Sequence, residues 1–212
     1  MNKYIVLTLL GASSMVAFSQ GAMNFGNNLG ASTFRAPIFS PSFNPVVGQG
    51  TGTSFFPQGA TSYAGLSLLS GTGFTLALFG GPASVVDPSA LTLITQTTFR
   101  TGGASGFINT TTVTFPGVQP GTQAKFQIRV WDNKGGTVTS WAQAIPSSPS
   151  YATSPMVTTG PLGGTDSNGN LFPTNPDSTG WTAFSLPILP EPSTYALAGL
   201  GAASLFLFRR RK

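Results

Sequence analysis

Between residues 62 and 143, apolar and polar positions alternate at a period of two, and Gly and Pro interrupt the runs at short intervals. That period places residues i and i+2 on one face of an extended chain, the signature of a half-buried β-strand. It is clearest over 125–132. Phe126, Ile128 and Val130 share one face there, and Lys125, Gln127 and Arg129 share the other. By the same parity Trp131 joins Arg129 on the wet face. Asn133, Lys134, Gly135 and Gly136 tolerate positive φ, so 137–141 is predicted to return as a hairpin partner. The same alternation marks Phe74, Leu76 and Leu78; Leu91, Leu93, Thr95, Thr97 and Phe99; and Phe107, Thr111, Val113 and Phe115. Late strands are predicted over 156–159 and 181–186, the second closing a sheet edge. No helical period is visible over 20–189, and no internal repeat.

Pro120-Gly121-Thr122 leading into Phe126-Gln127-Ile128-Arg129-Val130, then Asn133 and Gly135-Gly136, resembles the late strand pair of fibronectin type III modules. The spacing from Thr122 to the aromatic residue is longer than in that family, and Phe126 lacks the hydroxyl of its corner tyrosine. The resemblance favours a sandwich over a closed barrel. The fold class expected is therefore all-β: a single antiparallel β-sandwich, Ig/fibronectin-like or jelly-roll-like, over 62–186. Four prolines and three glycines break up 35–58, so 20–61 is expected to be loop-rich. Phe34, Ile38, Phe39, Phe43, Phe55 and Phe56 are too apolar for a free linker and should pack those loops on the domain.

The two ends of the chain follow different rules. Lys3, the apolar stretch 4–10 and Ala17-Phe18-Ser19 make residues 1–19 a secretory signal peptide cut between Ser19 and Gln20. Its partners are the export translocon and signal peptidase. A cut after Ala22 is the weaker alternative. At the other end, residues 195–208 carry no charge and precede Arg209, Arg210, Arg211 and Lys212. A membrane helix over 194–208 is predicted, spanning about 21 Å against a hydrocarbon core of about 30 Å. Extension back to Pro192 and snorkelling of the basic tail make up the difference. Uncompensated cations stay on the cytoplasmic side, so the body must lie outside. Gly199 and Gly201 among alanines give this segment a small-residue face suited to helix packing.

Pro190-Glu191-Pro192-Ser193-Thr194, followed by the apolar run and the basic cluster, resembles the bacterial PEP-CTERM sorting signal, the substrate of membrane proteases called exosortases. The resemblance covers Pro190 to Lys212, within a sorting segment bounded at 187–212. It implies an exosortase partner, a cut near 190–192, and release or transfer to the cell surface or an exopolysaccharide matrix. It also makes Glu191 part of a recognition site and not a catalyst. The alternative is a plain tail anchor on a proline-rich stalk.

Charge changes the picture only after the ends are removed. The chain carries a net charge of +5, which would point to nucleic acid if taken whole. Over 20–189, however, Arg35, Arg100, Lys125, Arg129 and Lys134 nearly balance Asp87, Asp132, Asp166 and Asp177, so no nucleic-acid partner is expected. Only 7% of residues are charged, and Thr, Ser, Gly and Pro carry the polarity. With no Cys and no His, disulfides, thiolate metal sites and the usual nucleophile–base pairs are unavailable.

Candidate chemistry is correspondingly thin. Asp87 and Asp132 stand where Asp forms turns, which leaves no obvious carboxylate pair for glycoside hydrolysis. Asp166, Asn168 and Asn170, with Asp177 at the twelfth position, resemble a calcium loop, but the glycine is misplaced and a polar turn is the simpler expectation. No catalytic residue, metal or cofactor is assigned. Trp131 and Trp141, with Arg129 as donor, form a candidate glycan platform. The function expected is an exported, non-enzymatic surface or matrix protein; a carbohydrate-binding module is the alternative, and a hydrolase the distant one.

Overall fold

Leu76, Leu78, Phe126, Ile128 and Val130 are all buried, and the strands that carry them lie side by side. A computed structural model describes residues 19–29, 34–42, 48–49, 56–57, 67–188 and 200. In chain order the strands are β1 (Gly21–Phe25), β2 (Ile38–Ser42), β3 (Gly48–Gln49), β4 (Phe56–Pro57), β5 (Phe74–Pro82), β6 (Thr92–Thr98), β7 (Thr111–Phe115) and β8 (Ala124–Asp132). A short helix, α1 (Trp141–Ser147), comes next. It is followed by β9 (Tyr151–Thr153), β10 (Val157–Thr158), β11 (Gly164–Thr165), β12 (Leu171–Phe172) and β13 (Phe184–Pro187). The described residues are thus mostly β, as the alternation predicts.

The main sheet runs β10-β8-β5-β6, with β9 beside β10 on the same edge of β8. β5 and β8 pair antiparallel along their whole length, from Phe74 opposite Asp132 to Pro82 opposite Ala124. One face of this sheet meets Met23 and Phe25 of β1, Ile38 of β2, Val113 and Phe115 of β7, and Phe184 and Leu186 of β13 in one hydrophobic cluster. Gly80 is required at this contact, because a Cβ there would lie 2.5 Å from the Phe115 ring.

Several expectations need correction. The stretch 20–61, expected as loops, supplies β1, which pairs antiparallel with β7, and β2, which pairs with β13. The β2–β13 pair is parallel, so the sheets are not purely antiparallel. Phe34, Ile38 and Phe39 are buried as their apolarity predicts; Phe43 and Phe55 lie outside the described residues. In β6 a bulge intervenes, Leu78 facing Thr95 but Phe79 facing Leu93. Ile94 takes the inward place, and Leu93, which parity alone would bury with Thr95, is 50% exposed.

The predicted hairpin at 133–136 turns as expected, with positive φ at Lys134, Gly135 and Gly136. Its partner is different. Residues 137–141 form no strand, and β8 is met instead by β9, whose Tyr151 faces Trp131. Between them Ser140 caps α1, its Oγ accepting from the Gln143 N–H while Gln143 Oε1 accepts from the Thr139 N–H. No helix among the described residues is long and apolar enough to cross a membrane. Apart from Leu200, the predicted segment 194–208 lies outside them, as do residues 1–18 of the predicted signal peptide.

Candidate functional site

Arg129, Trp131 and Trp141, the proposed platform, do come together. Arg129 and Trp131 leave β8 on the face opposite Phe126 and Ile128, Phe79 comes from β5, and α1 lays Trp141 over them. The Arg129 Cζ sits 3.9 Å from the Phe79 ring centroid and 5.3 Å from that of Trp141. Its Nε donates to Gln127 Oε1 at 3.0 Å and its Nη2 to the Pro88 carbonyl at 2.6 Å. Burial lowers the Arg129 pKa, yet a guanidinium keeps its charge, here stabilised by two acceptors and two rings.

This face is not wet, and the platform expectation is corrected accordingly. Trp131 is 0% exposed, its Nε1 donating to the Val138 carbonyl at 3.0 Å, and Arg129 is 6% exposed. Parity assigned their face correctly but could not show what covers it. The cover is α1 with Ala144, together with Val138 and Tyr151. Trp141 meets Trp131 edge-on at 6.0 Å and Tyr151 at 5.5 Å, so the indoles pack on each other. A sugar ring stacks on an open aromatic face, and Trp131 offers none.

Three of the four body carboxylates are engaged in local turns, and the fourth holds a distant strand. Asp87 caps the 3-10 turn Pro88–Ala90 through the Ser89 N–H at 2.8 Å, and that backbone donor holds its carboxyl below the usual range. Asp132 Oδ1 accepts from the Lys134 N–H at 2.7 Å. Asp166 is the hub of the turn between β11 and β12. Its oxygens accept from the Asn170 side chain and from the backbone N–H groups of Asn168 and Asn170, with the Asn170 side chain foremost in lowering its pKa. Asp177 instead accepts from Asn24 Nδ2 at 3.1 Å, on the strand that opens the domain. Among the described residues no three His, Cys, Asp or Glu side chains gather as a metal site would require. A shallow groove of about 300 Å³ lined by Pro161, Phe172, Pro173, Thr174 and Pro176 presents no acid or base.

The expected processing sites lie close in sequence to hydrogen-bonded parts of the body. β1 starts at Gly21, two residues beyond Ser19, with the Gly21 N–H bonded to the Val118 carbonyl and the Ala22 N–H to Gly163. Gln20 is exposed. At the far end, β13 leads to Ile188, whose N–H donates to the Ser42 carbonyl at 3.1 Å, and only Leu189 then precedes Pro190. Sequence pattern alone missed this attachment of the chain at Ser42, because nothing local marks 38–42 as the partner of 184–187. Pro190, Glu191, Pro192 and the basic cluster Arg209, Arg210, Arg211 and Lys212 lie outside the described residues.

The family model of the PEP-CTERM protein-sorting motif matches residues 189–212. No curated protein and no solved structure matches the chain. The match covers the tail, and it supports an exported protein that an exosortase sorts at the membrane on its way to the surface.

Proposed function

We propose that this PEP-CTERM protein is a non-enzymatic component of the cell surface or its exopolysaccharide matrix, delivered as a folded β-sandwich and freed from a temporary membrane anchor. In this account signal peptidase cuts between Ser19 and Gln20. That site is favoured over one after Ala22, which would remove two of the five residues of β1. The uncharged run over 195–208 then halts in the membrane with the basic tail inside. An exosortase recognises Pro190-Glu191-Pro192 and cuts near it. The observation that carries the proposal is the sorting motif at 189–212, set directly behind the hydrogen-bonded end of the body. The body's role as structure and not catalyst is supported by carboxylates committed to turns and by a surface whose polarity is mostly hydroxyl.

The test is Glu191→Ala in the native host. The variant should be exported and folded but remain in the membrane fraction, while wild type moves to the surface or the medium. A variant that matures and partitions like wild type would remove the sorting claim.

A further inference from the structure

The folded chain begins and ends at opposite ends of β8. Near Ala124, the first residue of that strand, the Thr159 and Leu162 N–H groups bond to the Ala124 and Thr122 carbonyls, and those of Gly21 and Ala22 bond to Val118 and Gly163. The chain enters there. Near Asp132, the last residue, the Asp132 N–H donates to the Ser150 carbonyl, and Ser150 Oγ donates to the Pro187 carbonyl. The chain leaves there, and the nine residues of β8 between the two places span about 26 Å.

Charge is divided along the same axis. Every charged residue between 20 and 188 lies among the described residues. At the Asp132 end, exposed Lys134 follows the strand, and the Asn133 N–H bonds to the Gly73 carbonyl. Exposed Arg100 lies at the same end, because the Phe99 N–H bonds to the Gly71 carbonyl. Half-buried Arg35 is close by, its Cζ 5.4 Å from the centroid of the Phe107 ring, whose carbonyl accepts from the Arg100 N–H. The acid at this end is Asp132, half-buried, with Oδ1 accepting from the Lys134 N–H at 2.7 Å. Over the rest of the body the balance reverses. Asp87 and Asp166 toward the Ala124 end and Asp177 beside Asn24 outnumber Lys125, tied to the Val85 carbonyl, and Arg129, buried on that of Pro88.

We infer that the Asp132 end of the body is a membrane-facing surface, on which Arg100 and Lys134 meet the anionic phosphate groups of the lipids around the anchor. Reach decides which end can take part. From Ile188 to the predicted start of the membrane helix at 194, an extended chain covers about 20 Å at most, so the end that carries Ile188 stays beside the bilayer. Charge decides how the body stands on it. An anionic surface attracts Arg100 and Lys134 and repels Asp87 and Asp166, which turns the Gly21 end outward. The inference rests on the anchor of the proposed function, and it gives the cut a consequence. Two exposed cations hold the body only while the tether keeps them concentrated at the surface, so cleavage releases both contacts together.

The chain has no cysteine, so a single one carries a fluorophore to a chosen place. The Glu191→Ala form, purified from host membranes, is reconstituted in vesicles of phosphatidylethanolamine and phosphatidylglycerol. It is labelled at Thr137→Cys, just beyond Lys134, or at Ser167→Cys, between β11 and β12, both exposed positions. Nitroxide on the lipid headgroups should quench the label at 137 several-fold more than the label at 167. Most of that difference should vanish when Arg100→Glu and Lys134→Glu are added together. It should also vanish in phosphatidylcholine vesicles, which test the same attraction with both cations in place. Equal quenching at the two positions, stronger quenching at 167, or indifference to lipid charge would each overturn the inference. A Glu191→Ala chain absent from host membranes would instead remove the sorting proposal, and with it the anchor on which this surface depends.

Discussion

Among single residues, Asn27 carries the most structure for its size. It is fully buried; its Nδ2 donates to the carbonyls of Ala36 and Gly106, and its Oδ1 accepts from the Ile108 N–H. Asn27→Ala removes the partner of the Ala36 carbonyl and of the Ile108 N–H, while the Gly106 carbonyl keeps the Ile38 N–H, and should cost about 3 kcal/mol, read as a shift in the urea midpoint. A variant within about 0.5 kcal/mol of wild type would contradict this role. Nothing in the sequence marked Asn27, because Gly106 and Ile108 lie far along the chain and its residue type is common in turns. Asp87 and Asp166 were legible as turn formers, and their N–H donors lower both folded pKa values. A lowered carboxylate contributes stability that is whole above its unfolded value near 4 and is lost as pH falls through the folded value. Asp87 is exposed and Asp166 partly so, and the loss should be small. With no His or Cys, no side chain of ordinary pKa titrates between about pH 5 and 8, and Tm should stay level there and decline only below about pH 4. A step in Tm near pH 6.5 would contradict that expectation.

At the scale of elements, alternation located β5, β7 and β8 because each has one face on the main core. It did not identify their other faces, and the reason is concrete in β8. Gln127, Arg129 and Trp131 were read as a wet face but are buried, Arg129 and Trp131 against the Trp141 ring of α1 and Gln127 bonded to the Ser154 carbonyl. The helix itself had a local signal, Ser140 followed three residues later by Gln143, overshadowed by the glycine turn before it. The parallel β2–β13 pair had none, since parallel partners 146 positions apart leave no mark within either segment. If α1 shields the second cluster, Ala144→Asp should unseat it by burying a charge against Trp131. The expected readout is a red shift in tryptophan emission and greater acrylamide quenching, with the β-sheet circular dichroism retained. Unchanged quenching would show that the helix is not the cover. Ile128→Ala, in the main cluster, should instead cost about 3 kcal/mol of global stability.

For the whole molecule, the destination was legible in the sequence because targeting segments are linear: Pro190-Glu191-Pro192, the apolar run and the four terminal cations are read in order along the chain. The body's role was not, because the structural role proposed for it needs no convergent side chains and would leave no motif. What the fold adds is how close its hydrogen-bonded ends come to the two expected cuts. β1 begins two residues after Ser19, and the chain is still bonded to the body at Ile188, two residues before Pro190. The most direct test is the intact mass of the protein recovered from the cell surface or the medium. The account predicts a single chain that starts at Gln20 and stops near 190–192, lacking the apolar run and all four terminal cations. A mass equal to the full 212 residues, with both ends uncut, would contradict it.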